Sequence, residues 1–294
     1  MYELVQVSET CFYVQSPAKI GVIRTGGDRV CLIDSGNDKD AGKKIRKILD
    51  ANGWTLDAIY NTHSHADHIG GNQYLQKQTG CRIYARGIER DFTAHPLLEP
   101  SFLYGADPPK ELRHKFLMAQ GSDVRELTED CLPEGFQMIP LPGHSWDMTG
   151  FRSPDGVVFL ADCLSSRETL EKYQVGFLVD VRAYLDTLEA VRHIEAAAFV
   201  PSHAEPTDDI GPLAELNIRK VREIGDAVAG FCRGGATFET VLRRVFGHFG
   251  LTMDFEQYTL VGSTVRSYLT WLKESRRVRA DLADGALVWT AEDA

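Results

Sequence analysis

The sequence predicts an α/β fold, on three observations. Short β-like runs alternate with helical ones through about the first 210 of its 294 residues. Four of the β-like runs lead straight into a segment carrying histidine or aspartate, as happens where α/β folds gather chemistry at one edge of a sheet. Composition supplies the third: 43% hydrophobic and 25% charged residues suit an ordinary globular chain with a sizeable core, and the length suits one large domain or two.

Taken in order, Thr10–Val14, Ile20–Arg24 and Val30–Ile33 read as strands, with Gly26-Gly27-Asp28 turning between the last two. Asp40 to Asn52 is rich in lysine and carries Ile45, Ile48 and Leu49 on one side, a surface helix that stops at Gly53. Leu56–Tyr60 is the next strand. The segment Thr62-His63-Ser64-His65-Ala66-Asp67-His68 is a loop at its C-terminal end, with Gly70 and Gly71 allowing a tight turn behind it. Arg82–Ala85, Phe136–Pro140, Val157–Leu160 and Ala198–Val200 are further strands, and the last three deliver His144 (beside Gly143), Asp162 and His203. Between Gly87 and Glu134 lies a longer, less regular insert, and Val181–Ile194 is an amphipathic helix. After Asp208 the character changes. Leu213–Phe231, Thr237–Phe249 and Leu260–Ser275 are helical, and Val278–Ala280 with Leu287–Trp289 forms a hairpin around Asp284-Gly285. That outline is a winged helix, so the expected domains are 1–210 and 211–294.

Three imidazoles and a carboxylate within the six residues 63–68 suit metal binding and little else in a chain of only 9 histidines. With His144, Asp162 and His203 the set reaches five histidines and two aspartates, enough for two divalent ions sharing one carboxylate. Such ligands suit Zn²⁺ best, with Fe and Mn feasible. A three-histidine site keeps a position open for water, whose pKa a bound metal lowers from about 15.7 to roughly 7.

The pattern His63-x-His65-x-Asp67-His68, completed by His144, Asp162 and His203, resembles the metallo-β-lactamase fold superfamily and in particular its glyoxalase II-like hydrolases, over about residues 1 to 210. The resemblance implies an αββα sandwich of two mixed sheets with the site at one edge. It also implies that His63, His65 and His144 hold one ion, that Asp67, His68 and His203 hold the other, and that Asp162 bridges them together with a hydroxide. Asp67 would also orient the nucleophile, a catalytic role. The expected reaction is hydrolysis of an ester, thioester or related bond of a small molecule, without a covalent intermediate. Ribonucleases or phosphodiesterases and persulfide dioxygenases of the same fold are the alternatives. Cys163, next to Asp162, reads as a packed thiol. Trp146, Asp147 and Met148 stand where the superfamily often has a turn of small residues. Phe102, Tyr104, His114 and Tyr173, on segments flanking the ligands, are the candidate substrate-pocket residues.

Charge weighs against nucleic acid. The net charge is -10, and residues 236–294 carry seven Lys and Arg against eight Asp and Glu, whereas polyanion binding draws on basic residues. The C-terminal domain is therefore expected to pack or to form a homodimer. Met1 to Val14 has no signal-peptide pattern, and no run approaches the ~18 apolar residues of a membrane span. The six cysteines are scattered without a C-x-x-C pair. These features together indicate a cytoplasmic protein with reduced thiols.

Overall fold

Alternation along the N-terminal strands sends apolar side chains to both faces of a sheet, so each face has to be covered. The computed structural model describes residues 2–292; Met1, and Asp293 and Ala294 at the end of the C-terminal segment, lie outside the described residues. Its first sheet has seven strands in sequence order: β1 (Glu3–Gln6), β2 (Cys11–Gln15), β3 (Ile20–Gly26), β4 (Arg29–Ile33), β5 (Thr55–Tyr60), β6 (Arg82–Ala85) and β7 (Val124–Glu126). β1 to β4 pair antiparallel, whereas β4 to β7 pair parallel. Val22, Leu32, Ile59 and Ile83 form a buried cluster with Ile45 and Leu49 of α1 (Lys39–Ala51). Asp38 caps that helix by accepting from the amides of Asp40 and Ala41. α2 (Ala66–Ile69), a single turn, and α3 (Asn72–Thr79) follow β5. The insert folds into α4 (Gly87–Ala94), α5 (Leu98–Tyr104) and the edge strand β7.

Ile23, Cys31, Ile33, Tyr60 and Tyr84 of the first sheet belong instead to a cluster with Phe151, Val157, Phe159 and Val200, the filling between two sheets. The second sheet has the order β11-β10-β9-β8, built from β8 (Gln137–Pro140), β9 (Thr149–Arg152), β10 (Val157–Ser165) and β11 (Ala198–His203). β10 and β11 run parallel and the other pairs antiparallel. α6 (Arg167–Tyr173) follows β10, and the outer face of this sheet packs on α7 (Val181–Val191) and α8 (Gly211–Phe231). The result is the expected αββα sandwich of two mixed sheets.

The C-terminal segment continues with β12 (Ala236–Thr237), α9 (Phe238–His248), α10 (Phe255–Glu274) and the hairpin β13 (Val278–Ala283) and β14 (Ala286–Ala291), whose small sheet has the order β12-β14-β13. Val228, Val245, Tyr268 and Leu272 share one buried cluster with Leu160, Leu188 and Phe199. No break in the core marks residue 210. No helix among the described residues is long and apolar enough to cross a membrane.

The elements absent from the sequence reading are β1, the short helices α2 to α6, β7, β9 and β12. Each is too short to show a periodic signal of its own. β10 also runs past Leu160 as far as Ser165, with register shifts against β11 on both sides of Ala161.

Candidate metal centre

Four strand ends bring the seven residues together. β5 leads into His63 and His65 and, through α2, into Asp67 and His68; the loop after β8 carries His144; β10 carries Asp162; β11 ends at His203. Two local conformations make this possible. Ala161, a non-glycine residue at φ 50, turns the strand just before Asp162. Gly143 sits at φ +123 with Tyr184 so near that a Cβ would lie 2.3 Å from its backbone. Gly70 and Gly71 serve a different purpose from the expected tight turn. Both have ordinary helical φ, but a Cβ would come within 2.2 Å of Asn37 and 2.3 Å of the Ser35 carbonyl. They are small so that the ligand segment can lie against the loop after β4.

The ligand atoms fall into two groups, His63, His65 and His144 in one and Asp67, His68, Asp162 and His203 in the other, each within 4.8 Å across. His65 Nδ1 lies 3.1 Å from His63 Nε2 and 3.0 Å from His144 Nε2. Asp162 stands between the groups. Its Oδ2 is 3.9 Å from His63 Nε2, 3.5 Å from His144 Nε2 and 3.2 Å from His203 Nε2, while its Oδ1 is 3.1 Å from His68 Nε2. Asp67 Oδ2 lies 3.4 Å from His203 Nε2 and 3.7 Å from that of His68.

The rings are held from behind. His68 Nδ1 donates to Asp34 (2.7 Å), His144 Nδ1 to the Phe177 carbonyl (3.1 Å) and His203 Nδ1 to the Pro17 carbonyl (3.1 Å). His63 Nδ1 donates to the Thr62 hydroxyl (2.9 Å), which donates in turn to Asp34 (2.7 Å). At His63 and His144 the bond to Nδ1 leaves the lone pair on Nε2 facing the cluster, and at His68 and His203 it turns Nε2 toward the same point, the way metal-ligating histidines are oriented.

Burial is the first cause of the low pKa values of His63, His65 and His144, with neighbouring imidazoles adding to it. His63 falls well below the usual histidine value, and His65 and His144 fall to about 4. These three are neutral lone-pair donors at pH 7. Burial alone would also lower His68, but Asp162, Asp67 and Asp34 outweigh it and raise this ring well above its usual value. Asp162 is the main cause that lifts His203 to about 10. Burial opposes ionisation of Asp67, yet His68 and His203 pull it down to about 2. The residues fit divalent metal by their own geometry. His68 Nε2 and Asp162 Oδ1 are fully buried and make no hydrogen bond, although they lie 3.1 Å apart. Such buried atoms are rare unless a partner belongs there. Their alignment is that of ligands turned toward a common centre.

Comparison with known proteins bears on this arrangement. The family model of the metallo-beta-lactamase superfamily matches residues 15–203. The chain belongs to that superfamily. A hydroxyacylglutathione hydrolase of Bradyrhizobium sp. is 50% identical over 128 residues, 43% of this chain and 41% of that protein. A beta-lactamase-like protein 2 homolog of Drosophila melanogaster is 24% identical over 216 residues, 67% of this chain and 63% of that protein. The chain thus spans less than two thirds of the length of these curated relatives. A crystal structure of a beta-lactamase domain protein from Burkholderia ambifaria superimposes with a TM-score of 0.71 at 17% identity, over 99% of this chain and 94% of that one.

Around the superfamily cluster, two buried carboxylates do work that the sequence reading did not assign. Asp34 also accepts from the Thr62 amide (2.8 Å), so it braces one ligand of each group. Its position at the end of β4, before Ser35 and Gly36, repeats the strand-then-acid context of Asp162, and that signal could have found it. Glu89 accepts from the amide and hydroxyl of Ser64 (3.0 and 2.7 Å) and from the Asp147 amide (3.2 Å), tying both ligand loops to α4. Nothing in the sequence distinguishes Glu89 from a surface acid. Cys163 is fully buried and all six cysteines are free.

A cleft of about 130 Å³ opens on the cluster beside His65 and Asp67, walled by Glu99, Phe116, Leu117, Phe177 and Leu260. Burial first, then Glu89, pushes the Glu99 carboxyl up to about 8. Of the four candidate pocket residues, none lines this cleft. Phe102 and Tyr104 face a separate groove with Trp146 and Trp271, where Phe102 packs edge-on to Trp146 at 4.6 Å. His114 Nε2 meets Glu256 at 3.1 Å, joining the insert to α10, and Tyr173 is 56% exposed on α6. On α5 it is Glu99 that faces the ligands, whereas Phe102 and Tyr104 face the groove beside α10. Trp146, which replaces a small-residue turn, belongs to that same packing with Phe92 and Phe102.

Proposed function

We propose that the protein is a dinuclear metallo-hydrolase that cleaves a small-molecule thioester with water, releasing a carboxylic acid and a thiol. The observation that carries this reading is Asp162, placed within 3.9 Å of histidines from both ligand groups. His63, His65 and His144 would hold one divalent ion and Asp67, His68 and His203 the other, with Asp162 shared. Zinc suits a donor set of imidazole and carboxylate, and iron or manganese would be accepted by the same atoms. When bound, the ions supply Lewis acidity to the attacking water and to the scissile carbonyl. Asp67 lines the cleft with its side chain 40% exposed and its carboxylate ionised, so it can accept a hydrogen bond from that water and orient it.

The choice of bond rests on similarity to the hydroxyacylglutathione hydrolases, and the choice of a small molecule on the cleft itself. Its lining contains no Lys or Arg, which suits a neutral, partly apolar group better than a nucleic-acid strand. We assign residues 211–294 to a winged-helix-like unit with a packing role, a reading supported by the continuous core through Tyr268 and Leu272. The free cysteines favour a reducing compartment such as the cytoplasm. The test is metal quantification together with a panel of thioester, lactone, phosphodiester and β-lactam substrates. Two ions per chain and preferential thioester turnover are expected. Turnover of a phosphodiester but no thioester, after reconstitution with zinc, manganese or iron, would overturn the reading.

A further inference from the structure

Behind the ligands, away from the cleft, a second recess of about 70 Å³ lies between the metal cluster and the C-terminal helices. His144 and Asp162 form one wall, Val221 and Ile224 of α8 another, and Tyr184 and Tyr268 reach in from α7 and α10. Phe177 separates recess from cleft. Its ring stands edge-on to those of His65 and His144, at 5.2 and 5.9 Å.

The amide and ammonium groups of the recess are occupied. Asn217 accepts from the Ser165 amide (3.0 Å) and donates to the carbonyls of Ser165 and Leu213 (2.9 Å each). Lys220 donates to Gln174 (2.8 Å) and pairs with Glu223 (3.0 Å), so its charge is already matched. The Tyr268 hydroxyl is different. It is fully buried and has no hydrogen-bond partner. A phenylalanine would fill the same space without leaving a buried hydroxyl unpaired, which is costly in a core.

We propose that this recess is an acyl subsite and that Tyr268 is a specificity-determining residue, binding a hydroxyl or keto oxygen carried by a short acyl chain. The inference rests on the thioester reading above. With the reacting carbonyl at the cluster, the acyl chain points inward past Phe177 and the thiol portion extends into the apolar cleft. The small volume admits a chain of a few atoms only. Because Lys220 is neutralised, the oxygen it receives is uncharged rather than a carboxylate. The C-terminal segment thereby contributes to substrate choice as well as to packing.

The test compares acyl thioesters of N-acetylcysteamine matched in length: propionyl with lactoyl, and butyryl with 3-hydroxybutyryl. The metal-loaded wild type should favour at least one oxygenated member by about tenfold or more in kcat/KM. Tyr268→Phe should lose that preference, the fall in kcat/KM being confined to the oxygenated members, and keep or raise Tm. As a second readout, the free acid matching the favoured thioester should inhibit the wild type more strongly than its plain counterpart, and Tyr268→Phe should erase the difference. Plain and oxygenated substrates turned over alike by the wild type would overturn the subsite while leaving the thioesterase reading intact. So would a Tyr268→Phe variant that loses all substrates equally with a fall in Tm, because the hydroxyl would then be structural. Failure of the wild type to cleave any thioester while cleaving another class would instead reject the reaction assignment, and the subsite with it.

Discussion

The two halves of the ligand cluster share their imidazole chemistry and differ in charge. Around His63, His65 and His144, burial drives protons off the rings, and the Asp162 carboxylate approaches only to 3.9 and 3.5 Å of His63 and His144. Around His68 and His203, Asp34, Asp67 and Asp162 at 2.7 to 3.7 Å hold protons on the rings. The first half offers neutral lone pairs ready for an ion. The second is a charge-balanced network from which protons must leave before a cation enters, since ligands bind metal deprotonated. The difference teaches that one cluster can prepare two unequal sites with the same residue types, the inequality coming from where the carboxylates sit.

Removing the residue the two halves share should have the largest effect. Asp162→Asn is expected to reduce metal content below two ions per chain and to lower turnover by at least about 100-fold, more than the loss of an outer partner costs. Retention of two ions with full activity would refute the bridging role. Elemental analysis and kcat on the same preparation decide it.

Asp34→Ala probes the bracing behind both halves and should separate them. His68 loses its direct partner, whereas His63 loses only the far end of a relay through Thr62. Metal affinity should fall by about 10- to 100-fold at the half containing His68 and by less at the other. Competition with a chromogenic chelator measures both steps, and an equal loss at each would contradict the asymmetry.

The smallest effect concerns a second carboxyl beside the first half. Glu99 Oε1 lies 3.7 Å from His65 Nε2, and burial raises its pKa to about 8. An unfolded glutamate ionises near ~4.3. Folding therefore binds a proton between those values, and this group makes the metal-free protein progressively less stable as pH rises from about 4.3 through about 8. Glu99→Gln should raise Tm at pH 9 and change it little at pH 4. A Tm change equal at both would mean that the carboxyl is not held neutral.

Much of this site was legible in the sequence because its information is local. His63 to His68 stand in a spacing that serves little besides metal, and His144, Asp162 and His203 each follow a run of β-formers that became β8, β10 and β11. Asp34 was legible by the same logic and was passed over. Glu89 was not. Its role depends on Ser64 and Asp147 arriving at one point from two different loops. Phe102, Tyr104, His114 and Tyr173 stand outside the cleft beside His65 for a related reason. The course of the insert is set by Leu103, Leu112 and Leu117 clustering with Leu260 of α10, and by Tyr104 lying against Phe255.

The sequence by itself showed the alternation of strands and helices and the cluster of histidines and aspartates at strand ends, while the αββα sandwich came from the resemblance that cluster carries. Periodicity and side-chain chemistry are properties of neighbours along the chain, so they can be read there. Only the tertiary structure decided which histidines carry protons, that Asp162 stands between the halves, and that α8 and α10 close a recess behind the ligands around Tyr268. Those features depend on burial and on distances between segments as far apart in sequence as Asp162 and Tyr268. Nothing in the local pattern of either segment records the other.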